Sequence, residues 1–114
     1  MRRGEICSVA GGPDYIGKPR PVAILRDDRF EELLSVTFCP FTTNPTPAPL
    51  FRVPVKPSER NGLKEESSLM VDKITTVART KVGKRIGCLD DEDIVSLNRA
   101  VVVFLGLGGS GPAP

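Results

Sequence analysis

The run Arg20-Pro21-Val22-Ala23-Ile24-Leu25 constrains the fold more than any other stretch of this chain. After the arginine it is apolar at every position, so it shows neither the alternation of a half-exposed strand nor the spacing of a surface helix. A short unbroken apolar run reads as a strand covered on both faces, and Pro21 is tolerable only at its first position, where a missing N–H disturbs the ladder least. The fold must therefore cover a central strand from two sides. Pro19 and Pro21 also fix the backbone on either side of Arg20, which sets a cation at a defined point at the start of that strand.

The neighbouring segments supply candidates for the cover. Arg3–Val9 reads as a short first strand, followed by a loop over Ala10–Pro19. Arg26–Leu34 has Phe30, Leu33 and Leu34 at helical spacing, in a span that suits one or two turns or a hairpin connection. Ser35–Thr43 is rich in β-branched and aromatic residues and stops at the proline-rich Asn44–Pro49, so it reads as a third strand. Leu50–Val55 and Ser67–Val71 read as further strands. Pro54 places the first of these near an edge, and Asn61-Gly62 marks a turn between them.

Asp90–Leu107 opens with carboxylates that suit a helix N-terminus and carries Ile94, Leu97, Val101, Phe104 and Leu105 as an apolar stripe. The competing reading is a terminal strand at Ala100–Leu107; the acidic start and the spacing favour helix. The final Gly108–Pro114 offers nothing to anchor it and reads as a flexible tail. These elements predict an α+β fold, mainly β: a small, curled, mostly antiparallel sheet or barrel closed by a C-terminal helix, in one domain over residues 1–107.

Composition narrows the chemistry. The 114 residues include no histidine, which removes the commonest general base, the commonest metal ligand and the triads built on it. Three cysteines, Cys7, Cys39 and Cys88, are odd in number and widely spaced, so they read as buried thiols and not as a disulfide framework or zinc site. No metal and no cofactor is expected, and no P-loop pattern occurs. No apolar run approaches the ~20 residues of a membrane helix, and the first residues lack a signal-peptide pattern, so the cytoplasm is the expected location. The net charge of +2 is too mild to diagnose a partner. Lys73, Arg79, Lys81, Lys84 and Arg85 nevertheless cluster, either as a surface for phosphates or as a solvated helix face.

Several segments in order, "RRGEI", "GKPRPVAIL", "FCPFTT", "SSLMVDKITTV" and "GKRIGCLDDEDIVSLNRAVVVFLGL", together resemble the MazF/PemK (Kid) toxin family across nearly all of residues 2–107. The correspondences are Arg3-Gly4-Glu5-Ile6, Arg20-Pro21-Val22, Pro40-Phe41-Thr42, Asp72-Lys73-Ile74-Thr75-Thr76 and Lys84-Arg85-Ile86. The chain departs from the family pattern at Cys7, where an aromatic is common, at Met70, where one branch has arginine, and at Lys73, where glutamine is frequent.

The resemblance implies an SH3-like barrel and a sequence-specific, ribosome-independent endoribonuclease. Such a protein would cut single-stranded RNA as a homodimer and be held in check by a cognate antitoxin with an acidic disordered segment. It also implies roles. Arg20 matches the catalytic arginine, whose planar fork suits a phosphate. Thr42 matches the active-site threonine, with Thr43 expected to face the other side of a regular strand. Asp72 matches an acidic position that would act as base or orient Arg20. Tyr15 would stack on a base and Lys18 would meet a phosphate, with Thr43, Lys73, Arg79, Lys81, Lys84 and Arg85 as further RNA contacts. The alternative is a catalytically degenerate member that only binds nucleic acid or an antitoxin peptide.

Overall fold

The computed structural model describes residues 1–10, 19–45, 47–48 and 50–108. The strands are β1 (Glu5–Val9), β2 (Arg20–Ile24), β3 (Ser35–Thr42), β4 (Arg52–Val55), β5 (Ser67–Met70), β6 (Thr75–Ala78) and β7 (Val82–Cys88), followed by helix α1 (Asp91–Phe104). They form one sheet in the order β4-β5-β3-β2-β1-β7, with β6 added beside β3 and every pairing antiparallel. The expected mainly antiparallel sheet with a C-terminal helix is what the chain forms.

β2 is central, as its composition requires. Ala23 joins a core made with Ile6, Cys39, Phe41, Val53, Leu69, Leu89 and Leu97, under α1. Val22 and Ile24 face the other way, among Cys7, Val9, Val36 and Phe38, with Val77 and Val82 of the curled-over β6 and β7 against them. Pro21 lies one residue inside β2, before the ladder to β3 begins at Val22↔Pro40. Pro54 lies on β4, the edge strand expected.

β3 changes partner along its length. It pairs β6 over Ser35–Phe38 and β5 over Phe41–Thr42, so Pro40 falls in the gap between the two ladders, where its missing N–H costs no bond on that side. Two further strands, β6 and β7, run through the basic segment. That segment had suggested a solvated helix face, and it is instead extended backbone linked by a 3-10 turn at Arg79–Lys81.

Helix α1 stops at Phe104, short of Leu107, because Gly106 takes a left-handed φ of 73° that ends the right-handed turn. Leu97 and Ala100 are buried, whereas Phe104 and Leu105, expected on the apolar stripe, are exposed. Arg26–Leu34 holds a single 3-10 turn, Asp28–Phe30, whose Asp27 cap accepts from the Arg29 N–H.

Candidate active site

Because β2 and β3 are antiparallel neighbours, the start of one lies beside the end of the other, which places Arg20 and Thr42 at the same edge of the sheet. The pairing Val22↔Pro40, carried two positions further, leads to these same two residues. Arg20 is exposed and lines an open groove of about 590 Å³. Pro19 and Pro21 flank it there, Thr43 comes from the end of β3, and the far wall is Gly62, Leu63, Lys64, Glu65, Ser67 and Ile86.

Thr42 lines an adjoining groove of about 350 Å³ together with Asn44, Pro45, Pro54, Glu66 and Ser68. Thr43 and Ser67 line both grooves and form the ridge between them. Thr43, expected to face the other side of a regular strand, stands one residue past the end of β3, where strict alternation no longer applies, and it borders both grooves. The Asn44 N–H donates to Thr42 Oγ1 at 3.1 Å, which fixes that oxygen and leaves the hydroxyl proton available.

The far wall is held by a wholly buried side chain. Asn61 Oδ1 accepts from the N–H groups of Ser58 and Leu63 at 2.9 and 3.0 Å, and its Nδ2 donates to the Lys56 carbonyl at 2.9 Å. Gly62 has φ +67°, and a Cβ there would meet the Ile86 carbonyl oxygen at 2.6 Å. Gly87 is packed under the same turn, where a Cβ would lie 2.4 Å from the Asn61 carbonyl oxygen. The sequence marked Asn61-Gly62 as a turn; nothing in the pattern showed that the turn leans on β7 and shapes a groove.

Asp72 is elsewhere. It forms a two-point ion pair with Arg52 of β4, Nε to Oδ1 at 2.9 Å and Nη2 to Oδ2 at 3.1 Å, and lines neither groove. The Arg52 guanidinium also sits over the Phe51 ring, 5.8 Å from its centroid. The structure therefore does not bring Asp72 to Arg20.

The five clustered cations are likewise outside the Arg20 groove. Arg79 Nη1 donates to the Glu31 carbonyl at 3.0 Å, and Arg85 Nε to Glu5 Oε2 at 2.6 Å. Lys73, Lys81 and Lys84 are exposed. Tyr15 and Lys18 lie outside the described residues.

Two cysteines are buried as expected, and Cys88 is only half-buried. Burial, reinforced by the negative charge of Asp72 and partly offset by Arg52, pushes the Cys39 thiol up to about 12.

Residues 2–105 match the family described as the PemK-like, MazF-like toxin of type II toxin-antitoxin systems. A protein of Mycolicibacterium smegmatis named a probable endoribonuclease MazF is 50% identical over 109 residues, covering 96% of this chain and all of that protein. The chain belongs to the PemK/MazF toxin family. Among solved structures, a Mycobacterium tuberculosis toxin, MazF-mt6, matches with a TM-score of 0.73 at 29% identity, covering 86% of this chain and 92% of that one. An endoribonuclease from a mycobacterial species, solved with its cognate antitoxin, superimposes with a TM-score of 0.79 at 22% identity, covering 100% and 99% of the two chains. That second likeness speaks to the fold, and the MazF fold is the antiparallel sheet and C-terminal helix described above. Among the described residues, no helix is long and apolar enough to cross a membrane.

Proposed function

We propose that this chain is a metal-independent endoribonuclease that cuts single-stranded RNA at short sequence motifs, independently of the ribosome. The observation that carries the reading is the meeting of Arg20 with the threonine end of β3 at one groove, in a chain half identical to a probable endoribonuclease MazF. Cleavage through the 2′-hydroxyl needs charge stabilisation at the phosphorus, and Arg20 supplies a planar fork for two nonbridging oxygens. Thr42, its oxygen held by Asn44, donates its proton to a phosphate oxygen, while Thr43 on the ridge contacts the strand passing between the two grooves. Exposed Lys73, Lys81 and Lys84 meet phosphates further along the RNA.

The protein works as a homodimer in the cytoplasm, and a cognate antitoxin blocks it by laying an acidic, initially disordered segment over Arg20. Incubation of purified protein with diverse single-stranded RNAs in EDTA tests the reading. Discrete cleavage at a recurring motif is expected; binding without any cleavage would instead favour a degenerate binding module. An acidic antitoxin peptide should compete with RNA for the same groove.

A further inference from the structure

Breaking RNA through its own 2′-hydroxyl requires a group that takes the hydroxyl proton beside the phosphate that Arg20 grips. The chain has no histidine, and the acidic residue nominated by family likeness, Asp72, is held by Arg52 and lines neither groove. Among the described residues lining the Arg20 groove, Lys64 is a cation, Thr43 and Ser67 are hydroxyls, and Glu65 is the single carboxylate. Only the carboxylate is a ready proton acceptor.

Glu65 is also placed to act. It is exposed, and its carboxylate has no hydrogen bond or ion pair among the described residues. Its backbone, by contrast, is fixed: the buried Ser67 hydroxyl donates to the Glu65 carbonyl at 3.1 Å, and Asn61 pins the turn just before it. A free carboxylate on a held backbone, across a groove from a phosphate-binding arginine, is the arrangement a general base needs.

We infer that Glu65 is the general base of this ribonuclease, an assignment that rests on the function proposed above. Its carboxylate takes the 2′-hydroxyl proton as the 2′-oxygen forms a bond to phosphorus. The bond from phosphorus to the 5′-oxygen then breaks, and that oxygen leaves with the electron pair and takes a proton from water. Glu65 returns its proton to solvent, and the products carry a 2′,3′-cyclic phosphate and a 5′-hydroxyl.

The test uses an oligoribonucleotide that the wild-type protein cuts, its uncleavable analogue with a 2′-deoxy sugar at the scissile position, and the variants E65Q, E65A and R20A. E65Q and E65A should lose about 10²–10³-fold in single-turnover rate while binding the analogue within about twofold of wild type. Added formate should restore cleavage to E65A but not to R20A, because it replaces a missing base and not a missing cation. Wild-type rates in E65Q, or a loss of analogue binding with no rescue by formate, would overturn the assignment while leaving the ribonuclease reading standing. Intact RNA with the wild-type protein would overturn both.

Discussion

Arg52 and Asp72 meet through two parallel hydrogen bonds, 2.9 and 3.1 Å long, with side chains only 13% and 23% exposed. The pair joins β4 to the 3-10 turn that follows β5. A carboxylate tied this way is part of the frame. D72N should lower stability by about 2 kcal/mol, since it leaves a largely buried guanidinium with a weakened partner. The cleavage rate of the folded protein should not change. Thermal unfolding beside a single-turnover assay separates the two roles, and a lost rate at unchanged Tm would return Asp72 to the chemistry.

R20A should cost about 10²–10³-fold in cleavage with the fold retained, because the residue is exposed and serves developing charge. R20K should recover little, as an ammonium cannot reproduce the planar fork. Circular dichroism and kinetics on the same preparations check both statements.

T42V should reduce kcat by about 10²-fold, as expected for loss of one hydrogen-bond donor to the phosphate. T43V should act mainly on KM, because Thr43 forms the ridge between the grooves. The opposite split in a kcat and KM comparison would exchange their roles.

N61A should destabilise the fold by about 3 kcal/mol, since it strips partners from two N–H groups and a carbonyl in a buried turn. G87A should be similarly harmful, as its Cβ would lie 2.4 Å from the Asn61 carbonyl oxygen. Chemical denaturation gives both numbers directly.

Acid should weaken the fold through Glu5. Its burial pushes the carboxyl up, but hydrogen bonds from the Arg2 N–H and from Arg85 outweigh that and hold it below the ordinary carboxylate value. A depressed folded-state pKa means that the stabilisation is present above the unfolded value and is lost as pH falls through the folded one. Asp28 adds to the same slope: the Arg3 N–H, 2.6 Å from its Oδ1, keeps it low. E5Q should therefore flatten the fall in Tm between neutral and acid pH.

Much of the fold was legible because it rests on apolar runs. β2, β3 and the edge position of β4 follow from where apolar residues and prolines stand. β6 and β7 escaped because seven of their eleven residues are exposed and glycines interrupt β7, so no run of alternating buried apolar residues marks them. The place of Arg20 at the start of β2 was legible from its two flanking prolines. The place of Glu65 at the groove was not, since a carboxylate in the polar run "KEESS" looks like any solvated residue until the Asn61 turn brings it to the groove that Arg20 lines. Asp72 shows the converse: its family position is visible in the sequence, and its partner Arg52 on β4 is not.

The change of partner along β3 has a mechanical meaning. Arg20 belongs to the ladder of β1, β2 and β3, while Thr42 is paired across to Ser68 in the ladder of β4 and β5. Pro40 is the joint between them. A nucleic-acid strand gripped at both residues would stitch the two halves of the sheet together, so occupancy of the groove would brace the molecule against opening at its own seam.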